Sequence, residues 1–194
     1  MWNWDFALSI LPEIVSALKI TILATFTSFF LALVLGLVLT LLTRVKIGPI
    51  AFIVKGLIDF IRNTPLLVQL YFIFYVFPQY GLVLQPFTAG VLGLGIHYST
   101  YLSEVYRGGI EAIPQGQWEA ARALNFSTWT TWSKIILPQA IPPIIPVLGN
   151  YLIVMFKETP LLSAITLVEI LQTAKIVEPM TIVTSVFGKS SLIS

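Results

Sequence analysis

Long apolar runs, most of them long enough to cross a bilayer as a helix, alternate with short polar breaks along most of the chain. The first run covers about residues 14–42 and ends before Arg44 and Lys46, with Gly48-Pro49 after them. Its residues are continuously apolar, without the alternation of a barrel strand, and a spanning helix needs roughly 20 of them. The pattern therefore predicts a first transmembrane helix.

Charged residues interrupt the second apolar stretch. Lys55, Asp59 and Arg62 stand at i, i+4 and i+7, so they share one face of a helix. Because each charge costs about 2.5–3.5 kcal/mol at the bilayer centre, we expect this helix at the membrane surface. Residues 63–65 (NTP) offer a capping residue and then a proline at a first helical position. A second span is thus predicted over residues 65–78.

Two further spans are predicted, over about residues 87–106 and 138–156. A hydrophilic island, residues 110–137, separates them, and residues 157–194 contain no convincing run of about 20 apolar residues. The fold class is therefore an all-α polytopic membrane protein, with residues 1–194 as a single transmembrane domain.

The basic residues set the orientation. The segments 43–64 and 107–137 carry seven of the eleven Lys and Arg residues, while the turn 78–86 carries none. Since cytoplasmic loops are enriched in Lys and Arg, both basic segments are predicted inside and the N-terminus outside.

Composition and motifs argue against several classes of function. The net charge is only +2 and the basic residues are scattered, which argues against a nucleic-acid partner. Zero cysteines exclude disulfides and thiolate zinc sites. Residues 188–190 (GKS) lack the upstream glycine of a phosphate-binding loop, and no hydrolase motif occurs. We expect no enzyme, no metal and no cofactor.

Three charged or polar residues in this region have structural explanations. Glu104 and Arg107 stand three residues apart, a spacing typical of an ion pair within one helix. His97 has no second metal-ligand candidate near it in sequence, so we expect it to form a hydrogen bond between helices rather than a proton relay.

The island predicts two short helices. Pro114 suits the first turn of one helix, which ends at Asn125, a residue that tolerates the left-handed conformation. Ser127 or Thr128 can cap the second, which is predicted to end at Leu137 before Pro138. The alanines at 120, 121 and 123 make the first helix thin enough to enter a groove on a partner. A solvated cytoplasmic loop is the alternative.

Four motifs occur along the chain in the same order as in one known protein family, and each resembles that family's version. Glu119-Ala120-Ala121, with Ile135, Leu137 and Pro138 at the matching spacing, is similar to the EAA signature of ABC importer permeases. Three further segments resemble the polar amino-acid branch of that family. They are residues 62–70 (RNTPLLVQL), the set Tyr101, Glu104, Arg107 and Ile110, and residues 149–159 (GNYLIVMFKET). The resemblance covers roughly residues 14–175.

The resemblance implies a mechanism and a set of partners. It implies the type I ABC importer transmembrane fold with about five spans, in the bacterial inner membrane. Two permease subunits, a copy or a sister of this chain, form the pathway on two cytoplasmic ATP-binding subunits, and an extracytoplasmic solute-binding protein delivers the solute. Residues 107–137 are then the coupling loop. The coupling residues implied are Gln117, Glu119, Ala120, Ala121, Arg122 and Asn125.

Two departures accompany the resemblance. The family usually has glycine at position 125, where this chain has asparagine. The last residues (TIVTSVFGKSSLIS) do not resemble a fifth span followed by a basic tail. We therefore expect the last span to be incomplete or divergent, as in a truncated or frameshifted sequence.

Polar side chains inside the predicted spans are candidates for the substrate pathway, because such residues mark solute routes in membranes. The alternatives are an interfacial anchor pair for Lys157 and Glu158, and a cap and turn for the residues that begin the second span. The solute implied is a polar amino acid or a derivative. A self-contained secondary transporter is the rival, but the chain shows no inverted repeat. The candidates are Arg62, Thr64, Gln69, Asn150, Lys157, Glu158 and Thr159.

Overall fold

The computed structural model describes residues 4–45, 47–168 and 173, and all regular structure in these ranges is helical. The α-helices are α1 (Trp4–Thr43), α2 (Gly48–Asn63), α3 (Leu66–Tyr71), α4 (Pro86–Glu111), α5 (Gln115–Ala123), α6 (Thr128–Thr130) and α7 (Leu137–Glu158). A π-helical turn and a 3-10 turn prolong α3 (Phe72–Val76, Phe77–Tyr80), a π-helical segment joins α6 to α7 (Thr131–Ile136), and a 3-10 segment follows α7 (Thr159–Ile165).

The helices α1 and α4 lie side by side and run parallel. Gly95 of α4 contacts Leu31 of α1, and further along both helices the Thr40 hydroxyl donates to the Ser103 carbonyl at 3.1 Å. Residue numbers thus rise together along the interface. The end of α1 near Arg44 and the C-terminal end of α4 consequently lie on the same side, as the predicted orientation requires.

The helix α7 runs antiparallel to α4 on another face. Gly109 lies against Ile144, and Tyr98 lies near Tyr151, with ring centroids 6.1 Å apart. Contacts from α1, α3 and α7 bury most of the middle of α4, so α4 is the central helix of the described fold. The fully buried large side chains of this core include Leu70, Leu94, Leu102, Met155 and Leu162.

The sequence predicts four spans, whereas two or three segments of the described structure are long and apolar enough to cross a membrane. Among the described helices, the segments Ile10–Thr43 and Thr128–Ile165 are each long and apolar enough to cross a membrane. The bent pair Gly48–Asn63 and Leu66–Tyr80 makes a third if it is one broken span. The predicted span 87–106 is a helix, but α4 falls short in apolar content. Its small and polar residues pack against protein, so lipid solubility is not required of them.

The second apolar stretch is broken as predicted, with a bend of 102° between α2 and α3. The predicted cap differs, because the Asn63 side chain donates to the Asp59 carbonyl of α2 at 2.7 Å, and Pro65 precedes α3 instead of starting it. The Tyr101 hydroxyl donates to the Arg62 carbonyl at 3.3 Å, so the end of α2 packs against α4. The surface location of α2 stays a prediction.

The predicted stop before Pro138 is wrong. Helical structure continues from Thr128 to Ile165, and Pro138 lies in the first turn of α7. Proline cannot donate a backbone hydrogen bond, and its ring crowds the carbonyl four residues earlier. The π-helical segment Thr131–Ile136 contains that carbonyl, and its wider turn accommodates the ring without breaking the helix. The predicted incomplete fifth span lies outside the described residues.

Candidate functional site

The helix α5 carries the predicted coupling residues and is fixed on the protein by one face. Ala121 is only 1% exposed, while Glu119, Ala120 and Arg122 are exposed. Trp118 packs edge-on against Trp132, with ring centroids 5.3 Å apart. One face of α5 thus anchors the helix, and the other leaves its charged side chains exposed.

The two charges of α5 are available to a partner. Glu119 and Arg122 border a pocket of about 380 Å³ that Arg44 and Glu111 also line. Within the part of the chain that the structure describes, neither Glu119 nor Arg122 forms an ion pair. Gln117 is positioned differently, because its side-chain oxygen accepts from Gln139 of α7 at 3.3 Å.

The end of α5 confirms the expectation for Asn125. Its φ is 52°, in the left-handed region. The Phe126 N–H donates to the Ala121 carbonyl at 3.0 Å, and the Asn125 N–H donates to the Arg122 carbonyl at 2.9 Å. These two bonds form a Schellman motif. Ser127 then caps α6, accepting from the Thr130 N–H at 3.2 Å, so the chain enters and leaves this turn with its backbone groups paired.

Replacing Asn125 separates backbone geometry from side-chain chemistry. Asn125→Gly is expected to leave stability unchanged or higher, because glycine adopts a positive φ without steric cost. Asn125→Ala is expected to destabilise the permease by about 1 kcal/mol, since an alanine in this region costs about 1–2 kcal/mol. Thermal unfolding of the purified protein in one detergent measures both. Equal losses in the two variants would show that the asparagine side chain matters instead.

The break between α2 and α3 is held by Gln69. Its amide nitrogen lies 2.7 Å from the Ile61 carbonyl and 2.9 Å from the Thr64 carbonyl, so it satisfies carbonyls at the end of α2. The same nitrogen lies 3.0 Å from Nδ1 of His97, which confirms the expected hydrogen bond between helices. A helix broken beside the middle of a neighbouring span is typical of solute sites in transporters.

The structure brings some of the predicted pathway residues together and separates others. Arg62, Thr64 and Gln69 lie at the break, and Glu158 approaches the same region from the end of α7. Asn150 and Lys157 are exposed. The hydroxyls of Thr64 and Thr159 donate to backbone carbonyls of their own helices, at 2.7 and 2.8 Å.

The sequence analysis did not predict a cluster of aromatic side chains that lies beside the break between α2 and α3. His97, Tyr98 and Tyr101 of α4 contact one another, and the Tyr151 ring of α7 lies 5.9 Å from that of Tyr101. The Glu158 carboxylate lies close to Tyr98. Part of the cluster could have been predicted, because Tyr98 and Tyr101 stand three residues apart in a predicted span and so share one helix face. Tyr151 joins them only through the packing of α7 on α4.

The charged end of α4 forms the predicted ion pair and extends it. The Arg107 guanidinium bonds Glu104, with Nε at 3.1 Å from its carboxylate, and also reaches Glu111 at 2.6 Å. No ion pair joins Lys157 to Glu158 among the described residues, so the anchor-pair alternative lacks its contact. The described residues also hold no group of three or more potential metal ligands.

Comparison with known proteins gives consistent matches. The chain is 49% identical over 187 residues to a "Probable amino-acid ABC transporter permease protein" of Sinorhizobium fredii, a match that covers 93% of this chain and 81% of that one. It is 35% identical to an L-cystine transport system permease of Bacillus subtilis, over 89% of this chain and 74% of the relative. An arginine transport system permease of the same organism is 34% identical, with coverage of 89% and 80%.

Solved structures agree in fold. A crystal structure of an amino acid ABC transporter with histidines superposes with a TM-score of 0.85 at 34% identity, covering 99% of this chain and 94% of that chain. An inward-facing methionine ABC transporter gives 0.64 at 22% identity, covering 77% and 72%, which supports the fold alone. Residues 32–188 match the family model described as "Binding-protein-dependent transport system inner membrane component". The chain therefore belongs to this family and is the inner-membrane permease component of a binding-protein-dependent ABC importer, whose ATP hydrolysis is carried out by a partner subunit.

Proposed function

We propose that this permease imports a polar amino acid or an amino-acid-derived solute. The observation that carries the proposal is the helix break beside the middle of α4, where Arg62, Gln69 and Glu158 converge on a buried polar cluster. Side chains of both charge signs suit a zwitterion, and polar groups at mid-depth of a bundle mark solute pathways. The names of the similar permeases, for L-cystine and arginine among others, support the same solute class.

The pathway in this proposal combines residues at the break with residues of α7. In it, Arg62, Thr64 and Gln69 form one wall, and Glu158 and Thr159 at the end of α7 contribute to another. Asn150 and Lys157, which are exposed here, would face the second permease subunit, a copy or a sister of this chain. That arrangement explains how exposed polar residues on a spanning helix escape contact with lipid.

The coupling loop in this proposal is residues 107–137, and it docks on one of two cytoplasmic ATP-binding subunits. Glu119 and Arg122 supply charges that form no ion pair among the described residues, Ala120 permits close approach, and Ala121 and Asn125 hold α5 in place. Because α6 continues into α7 without a break, a displacement of α5 is transmitted to the wall of the pathway as rigid-body motion. A solute-binding protein delivers the solute from outside.

Reconstitution tests this function. The permease is inserted into vesicles with its second permease subunit, the ATP-binding subunits and the binding protein, and uptake of radiolabelled L-arginine, L-glutamine and glycine betaine is measured. We expect uptake of at least one solute only when ATP is supplied to the side of α5. Uptake by this chain alone, driven by an ion gradient without ATP, would instead establish a secondary transporter.

A further inference from the structure

We propose that Arg44 is a positioning residue that joins the end of α1 to the coupling loop, residues 107–137. Through Arg44, a displacement of α5 moves α1, and the α4 helix that packs on α1, together with α7. The inference rests on the proposed role of the coupling loop. It adds a residue outside that loop to the path by which the motion of the loop reaches the spans.

The first observation is a contact between Arg44 and the second half of the coupling loop. The guanidinium carbon of Arg44 lies over the Trp132 ring, 5.9 Å from its centroid. Aromatic faces attract cations at such distances, and arginine suits this contact because its planar, weakly hydrated guanidinium stacks on rings. Arg44 forms no ion pair among the described residues, so no carboxylate within them holds its charge elsewhere.

The second observation is that Trp132 in turn contacts α5. Its ring packs edge-on against Trp118 of α5, with the centroids 5.3 Å apart. Both tryptophans pack against a buried cluster that includes Ile113 and Ile136. Arg44 also lines the pocket of about 380 Å³ beside α5. A continuous series of contacts therefore leads from the end of α1 to the helix that carries the predicted coupling residues.

The third observation is that Arg44 is fixed to α1, and α1 to α4. The helix α1 is continuous over Trp4–Thr43, and the Arg44 N–H donates to the Leu41 carbonyl at 3.0 Å, so Arg44 extends its last turn. One turn earlier, the Thr40 hydroxyl donates to the Ser103 carbonyl of α4 at 3.1 Å. The end of α1 is thus held by α4 on one side and by the coupling loop on the other.

These contacts add a third connection between α5 and the spans. Along the chain, α5 follows α4 after residues 112–114 and precedes the continuous helix Thr128–Ile165. Arg44 ties the start of that continuous helix to α1, and so to the pair of α1 and α4, at the same end of the protein. The three helices then move as one body when α5 is displaced. Without the contact, α1 stays behind, and ATP is hydrolysed without a completed transport step.

The test uses the complete importer in vesicles and measures solute molecules taken up per ATP hydrolysed. The solute is whichever of radiolabelled L-arginine, L-glutamine and glycine betaine the unaltered importer takes up. Arg44→Ala is expected to lower this ratio about two- to fivefold, as for the loss of one exposed cation–π contact. Arg44→Lys keeps a cation and should give an intermediate ratio. Copurification of the ATP-binding subunit should be unchanged, and its loss in Arg44→Ala would assign Arg44 to docking and overturn the positioning role.

A second variant tests whether Arg44 acts through the ring of Trp132. Trp132→Leu removes the ring, so adding Arg44→Ala to it should lower the ratio no further. Residues that act independently would instead give losses that multiply. A further loss in the double variant would therefore overturn the assignment of Trp132 as the partner. Lys55→Ala is the matched control, because it removes an exposed cation of α2 and should leave the ratio unchanged.

A distance measurement makes the test independent of transport. The chain has no cysteine, so spin labels on Val45→Cys and Lys134→Cys, both exposed positions, report the separation of α1 from the coupling loop. With Arg44 present, this distance is expected to stay the same with and without ATP, whereas in Arg44→Ala it should change or broaden when ATP is added. A normal transport ratio and an unchanged distance in Arg44→Ala would overturn this inference while the import function stands. Absence of ATP-driven uptake by the unaltered importer would overturn the proposed function instead.

Discussion

Glu119→Lys is expected to abolish copurification of the ATP-binding subunit while the permease remains in the membrane. Glu119 is exposed, lies on a helix whose opposite face is buried, and has no ion pair in the part of the chain described. A partner that docks on α5 therefore meets this carboxylate directly. Reversing its sign replaces an attraction by a repulsion, and disrupting a buried hydrogen-bonded charge pair typically costs about 2–5 kcal/mol of binding free energy. Affinity purification of a tagged permease, followed by immunoblotting for the ATP-binding subunit, measures the loss.

The matched control reverses a charge outside the coupling loop. Lys55 is exposed on α2, outside residues 107–137, so Lys55→Glu reverses a charge of similar exposure. It should leave copurification at the level of the unaltered chain. If the ATP-binding subunit still copurifies with Glu119→Lys and ATP-driven uptake continues, α5 is not the docking element.

The sequence was most informative where local chemistry alone decides the structure. Asn125 adopts the left-handed conformation and Ser127 caps α6, because the end and the beginning of a helix depend on a few adjacent backbone groups. The break near Pro65 and the ion pair between Glu104 and Arg107 are local in the same sense. The EAA-like spacing led to the correct family because it records a loop of fixed length between two spans.

Prediction failed where the outcome depended on which helices touch. Nothing in the sequence of α2 showed that its end packs beside α4, where the Tyr101 hydroxyl donates to the Arg62 carbonyl. The apolar content of α4 is low for the same reason, since neighbouring helices replace lipid around it. Tyr151 joins Tyr98 and Tyr101 across about 50 residues of sequence, a separation that no periodicity reveals.

Gly36→Leu is expected to prevent folding of the permease, because the backbone of α4 lies directly against this residue of α1. A Cβ at position 36 would lie 3.0 Å from the Ser99 carbonyl oxygen and 3.2 Å from the Ser103 nitrogen, both backbone atoms of α4. Backbone atoms inside a helix cannot move singly, so the two helices would have to separate. Separation would also break the bond from the Thr40 hydroxyl to the Ser103 carbonyl. Overpacking costs typically about 1–3 kcal/mol, and a rigid neighbour places this site at or above that range.

Substitutions at other glycines test whether contact with the α4 backbone is the reason for the loss. A Cβ at Gly90 would lie 3.0 Å from a methyl carbon of Leu162, and the contact is the end of a flexible side chain that can rotate away, so Gly90→Ala should be tolerated better than Gly36→Ala. At Gly56 no atom lies within 4 Å, so Gly56→Leu serves as the matched control. Fluorescence-detected size-exclusion of tagged variants should show a normal folded peak for Gly56→Leu and little or no folded peak for Gly36→Leu, because a marginally stable protein does not withstand a large packing clash. A normal peak for Gly36→Leu would mean that α1 and α4 do not depend on backbone-to-backbone contact, and the parallel pairing that orients the coupling loop would need another basis.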